Sequence, residues 1–144
     1  MATDMDPFVK RLVDAYNKRS LDEFDALLAD DVVLVRDGEK AHGLAEFKGV
    51  LERLQRAFPD IQYRVEDILV AGDRIALRWE ARGTHQGEYL GQAATGRPVS
   101  YSGITIYERR PDGKIARIFV AADLLSLLRR LHEAQAGRGP EARV

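Results

Sequence analysis

The chain has 144 residues, 45% hydrophobic and 31% charged, with 22 Lys and Arg against 23 Asp and Glu and no cysteine. That length fits one domain able to bury a core and still enclose a cavity, and the near-neutral charge offers no electrostatic footing for nucleic acid or an anionic membrane. The lack of cysteine excludes disulfides, thiolate nucleophiles and Cys-based zinc sites.

The stretch Met1 to Phe8 carries Asp4, Asp6 and Pro7 where a signal peptide needs a basic start and an apolar run. No segment approaches the ~20 apolar residues of a membrane span, so a cytoplasmic location is the default expectation. Phe8, Leu12, Ala15 and Tyr16 share one helical face, with Lys10, Arg11 and Asp14 opposite. Ser20 with Glu23 three residues on reads as a capping box for a second helix through Phe24, Leu27 and Leu28. Val32 to Val35 is a β-branched run and predicts a short strand, ended by the turn signal Asp37-Gly38. Gly43 opens a third helix with Leu44, Phe47, Val50, Leu51, Leu54 and Phe58 on one stripe, and Pro59-Asp60 stops it.

The period then changes. Ile61 to Val70, Arg74 to Thr84, Val99 to Tyr107 and Lys114 to Val120 predict four strands. Between the second and third lies a glycine-rich loop, Gly83 to Gly96, and Pro111-Asp112-Gly113 is a turn. A last helix covers Leu124 to Glu133. The tail, Ala136 to Val144, is rich in Gly, Arg and Pro and reads as disordered. The order predicts an α+β fold over residues 1–135: a cone or half-barrel whose curved antiparallel sheet wraps the N-terminal helices around an apolar pocket.

Tests for familiar chemistry are negative. There is no Gly-rich phosphate loop, His42, His85 and His132 are isolated, and no serine sits in a nucleophile elbow. What stands out is Asp123, a carboxylate between Ile118-Phe119-Val120-Ala121-Ala122 and Leu124-Leu125. It can be the N-cap of the last helix, accepting backbone N–H bonds. It can equally be a buried acid whose pKa is raised toward neutral.

Arg78-Trp79, Gly83-Thr84-His85-x-Gly87, Gly91, Thr95-Gly96-Arg97-x-Val99, Gly103, Asp112-Gly113-Lys114-Ile115 and Asp123-Leu124 follow one another in an order and spacing that resembles the SnoaL-like polyketide cyclases. These are small proteins with the cone fold of nuclear transport factor 2, and the match is densest from Arg78 to Leu131. The resemblance implies a cyclase that needs neither cofactor nor metal and acts on an apolar polyketide-derived substrate in a natural-product pathway. It implies Asp123 as acid/base and His85 as a hydrogen-bonding group near the substrate; the alternative for His85 is a loop residue capping its own turn. Two departures matter. Arg117-Ile118-Phe119 replaces a Glu-His-Trp-like segment, and Ala93-Ala94 replaces two prolines. The first makes the pocket more apolar, so beside an acid/base-assisted aldol-type closure stands a shape-driven one, of which a [4+2] closure is a case, since proximity alone supplies several kcal/mol.

Tyr16, Leu51, Trp79, Tyr101 and Phe119 are the expected pocket side chains. Arg78, Glu80 and Arg82 fall on the outer sheet face, solvated or at a homodimer interface. Epoxide hydrolysis or isomerisation on the same fold would need a second inward carboxylate, and none is evident. A non-catalytic binder of an apolar small molecule is the remaining alternative.

Overall fold

The computed structural model describes residues 5–137, with side chains described to residue 133. Helix α1 (Pro7–Lys18) starts with Pro7 at its first position. Asp6 accepts the Phe8 and Val9 amides at 2.8 and 3.3 Å. The proline removes one donor that a helix start leaves free, and the Asp6 carboxylate satisfies two others. Arg19, in the left-handed conformation, ends it. The expected capping box does not form: Ser20 makes no side-chain cap, and Leu21–Glu23 is a 3₁₀ turn leading into the one-turn helix α2 (Phe24–Leu27). Strand β1 (Leu28–Arg36) is longer than the β-branched run alone predicts. A turn at Asp37-Gly38, both at positive φ, joins it to the short strand β2 (Glu39–His42), for which the sequence carries no strand signal.

Helix α3 (Leu44–Ala57) buries Phe47, Leu51, Leu54 and Ala57. Strands β3 (Gln62–Ala71), β4 (Arg74–Thr84), β5 (Pro98–Arg109) and β6 (Ile115–Ala122) form the expected antiparallel meander, and α4 (Leu124–Gly137) follows. The sheet has six strands in the order β2-β1-β6-β5-β4-β3. It is mixed rather than antiparallel throughout, because β1 lies parallel to β6. Part of the expected tail, residues 138–144, lies outside the described residues.

Alternation along β4 puts Ile75, Leu77, Trp79 and Ala81 on the helix side of the sheet, all buried. The opposite face carries ion pairs, such as Arg78 with Asp67 at 2.6 Å. It also carries an apolar row set by the register: Val35, Phe119, Ile106, Ala76 and Leu69 are neighbours across five strands. Asn17 ties α1 to the edge strand. Its Nδ2 donates to the Tyr63 carbonyl at 3.0 Å and its Oδ1 accepts from the Tyr63 amide at 2.7 Å.

Candidate active site

Between the helices and the concave sheet face is a chamber with about 640 Å³ of atom-free space, including its open mouth. Its walls are Val13 and Tyr16 of α1, Leu34 and Arg36 of β1, Phe47, Val50, Leu51 and Leu54 of α3, Tyr63 and Val65 of β3, Leu77 and Trp79 of β4, Tyr101, Thr105 and Tyr107 of β5, and Val120 of β6. No carboxylate is among them. The alternation that builds the core therefore also builds the chamber, as ligand sites with mostly apolar linings and a few polar groups require.

The polar groups in the wall are paired or poised. The Trp79 Nε1–H donates to Thr105 Oγ1 at 2.9 Å. The Tyr107 hydroxyl donates to that of Tyr16 at 3.1 Å. Trp79 stands edge-on to both Tyr63 and Tyr101, with ring centroids 5.6 and 5.8 Å away. Burial pushes the Tyr16 hydroxyl up to about 12, partly countered by its bond from Tyr107 and by Arg36. Burial likewise raises Tyr63, Tyr101 and Tyr107, so all four are neutral donors at ordinary pH. Arg36 is half-buried and bonded to the Tyr89 hydroxyl at 3.3 Å. Burial works against its charge, but Tyr89 and the neighbouring Tyr101 and Tyr63 outweigh that and hold its pKa above the ordinary value.

Of the pocket side chains expected from sequence, Tyr16, Leu51, Trp79 and Tyr101 line the chamber. Phe119 does not. Ile118 and Val120 take the inward parity of β6, and Phe119 points to the outer face beside Ile106 and Val35. Of the two readings of Asp123, the N-cap is the one the structure shows, and the buried acid is not. Asp123 is exposed, caps α4 by accepting the Ser126 amide at 3.2 Å, and does not reach the chamber. Bonding to Ser126 lowers its pKa, with a further contribution from Arg130 and Arg129, so the expected upward shift is reversed.

His85 is fully buried, but under the β4–β5 loop rather than in the chamber wall. Its Nδ1 meets Thr95 Oγ1 at 3.1 Å, its ring lies against Phe58, and its Nε2 has no hydrogen-bond partner among the described residues. Its backbone also braces the loop, through the Arg97 carbonyl and the Gly96 amide. Desolvation lowers its pKa, and the backbone at Gly87 and Gln92 only partly opposes that. The folded pKa thus lies below the unfolded value near 6.5. Stability from the neutral ring is complete above that value and is lost as the pH falls from it toward the folded pKa. Melting temperature should fall on acidification from about pH 7 to about pH 5, and His85→Gln should flatten this slope. Equal slopes in the two proteins would refute a buried neutral His85.

Arg36 and Tyr63 were missed from sequence. The signal for Arg36 was present: Val32, Leu34 and Arg36 share a parity, and the first two are buried.

A family model for SnoaL-like polyketide cyclases matches residues 7–131. Among solved structures, the chain is similar to AclR from Streptomyces galilaeus, described as a candidate hydroxylase, with 29% identity over 88% of this chain and 93% of that one and a TM-score of 0.79. It is similar to IdmH from Streptomyces antibioticus, described as a candidate polyketide cyclase, with 30% identity over 87% and 96% of the chains and a TM-score of 0.76. TsrD from Streptomyces laurentii shares 25% identity over 89% and 98%, with a TM-score of 0.78. A search of curated proteins gives no match.

Proposed function

Because the chain belongs to the SnoaL-like polyketide cyclase family, we propose that it closes a ring in an apolar, polyketide-derived intermediate held folded within the chamber. The observation that carries this reading is the wall itself: aliphatic and aromatic side chains, neutral hydroxyls, one guanidinium and no carboxylate. A closure of the [4+2] type suits such a wall. Two σ bonds form at the expense of two π bonds, and no proton is added or removed, so neither acid nor base is needed. Catalysis then comes from holding the chain in a reactive conformation and from hydrogen bonds to a polarised carbonyl.

The test is product analysis after incubation with a linear polyene or polyketide precursor. Asp123→Asn should turn over within about a factor of two of the parent, because an exposed cap takes no part in the chamber. A loss of ~100-fold or more with the fold intact would restore an acid/base role for Asp123 and sink the shape-driven reading. Tight binding without any product would leave a binder rather than an enzyme.

Assembly as a homodimer is part of the proposal. The outer-face row is where it would pair: Leu69, Ile104 and Ile106 are 70%, 49% and 36% exposed, beside the outward Phe119.

A further inference from the structure

Arg36 ends β1 on the same face as Leu34, and it lines two spaces at once. One is the apolar chamber. The other is a polar cleft outside it, with Glu39, Lys40, Glu46 and Arg53. The guanidinium therefore stands at the boundary between them. Its hydrogen bond goes to the Tyr89 hydroxyl. Among the described residues no carboxylate forms an ion pair with it. The nearest in sequence, Asp37, is exposed and accepts the Ala122 amide at 3.2 Å.

A guanidinium held partly out of water keeps unused capacity for an oxygen anion, and burial strengthens such a pair. Glu39 and Glu46 line the cleft beside it, but neither forms an ion pair with it among the described residues. A guanidinium has five N–H donors in a planar fork, suited to two oxygens at once. Tyr89 takes up only one of its nitrogens. The cleft beyond carries both signs of charge, and Glu46 Oε1 is engaged by the His42 amide at 2.7 Å. Preference for an anion therefore rests on Arg36 rather than on the cleft as a whole.

Resting on the reading of the chamber as the substrate site, we propose that Arg36 receives an anionic oxygen of the substrate, a carboxylate or an ionised enol, while the apolar body of the molecule fills the chamber behind it. The substrate class is then an apolar chain or ring with one acidic head, entering body first. Arg36 fixes which end leads and therefore which atoms are brought together.

The probes are two matched pairs titrated near neutral pH by calorimetry: cyclohexaneacetate against its methyl ester, and dimedone, an ionised enol, against its enol methyl ether. Trp79, the sole tryptophan and part of the chamber wall, reports occupancy by fluorescence for the first pair. The parent should bind at least one anion ~10-fold more tightly than its neutral partner, and Arg36→Met should abolish that preference while keeping the neutral probes. Arg36→Lys should retain part of it, because the charge stays and the fork is lost. Which anion is preferred identifies the head group. Equal binding of anion and neutral partner in the parent, with a Trp79 response, overturns the role of Arg36 and leaves the chamber as the site. No heat with any probe and no Trp79 response to the first pair overturns both readings. The parent protein decides alone if a variant fails to fold.

Discussion

Gly103→Ala is expected to lower stability by about 2–3 kcal/mol and to displace the indole that forms the chamber wall. Gly103 lies directly opposite Trp79 on the neighbouring strand. A Cβ at that position would sit 2.4 Å from Trp79 Cζ2, 2.8 Å from Cη2 and 2.9 Å from the Ala121 carbonyl oxygen. None of these can yield cheaply. The indole is held by its bond to Thr105 and flanked by Tyr63 and Tyr101, and the carbonyl belongs to β6. The glycine is present for the space it leaves. The measurement is a melting curve followed by tryptophan fluorescence, with a drop of roughly 8 °C expected. A melting temperature and emission spectrum matching the parent would show that Trp79 does not lie across Gly103.

Leu51→Trp should abolish turnover, by ~100-fold or more, while costing only about 1–3 kcal/mol of stability. Leu51 is 7% exposed, and its side chain looks from α3 into the chamber. The larger side chain has empty space ahead of it rather than packed atoms, so the fold survives and the cavity does not. Leu125→Trp is the matched control. That position is 65% exposed on α4 and lies outside the chamber wall, so turnover should stay with the parent. Undiminished turnover in a folded Leu51→Trp protein would move the reaction elsewhere.

The parts legible in the sequence were those governed by local period. Alternation along β4 and the stripe on α3 are complete in themselves, so Trp79 and Leu51 could be placed on inward faces from spacing alone. Phe119 could not, because parity along β6 depends on how it pairs. A register shift at Glu108 and Arg109 moves the pairing, and both Ile115 and Ile118 end up buried although they differ in parity. Strand β2 was hidden because a four-residue edge strand reading Glu-Lys-Ala-His has the charges that protect an edge and no alternation to display. Asp123 misled for a related reason. Apolar neighbours in sequence say nothing about burial at a strand-to-helix junction, where Ala121 is itself exposed. Arg36 was legible only in retrospect, since its charge beside Asp37-Gly38 looked like the start of a turn.

The parallel pairing of β1 with β6 has a consequence for how the chamber comes into being. The meander from β3 to β6 is made of neighbours in sequence and can assemble early, whereas β1 must pair with the last strand of the sheet in chain order. Contacts of such long sequence separation carry a larger loop-closure cost and slow folding. Leu34 and Arg36 belong to β1, so the chamber wall is complete only once this long-range pairing has formed. Local opening of that one seam would expose the interior while the meander stays paired. Amide exchange in β1 and β2 should accordingly run ahead of that in β4 and β5, and the ligand that bridges Arg36 to the chamber would slow it.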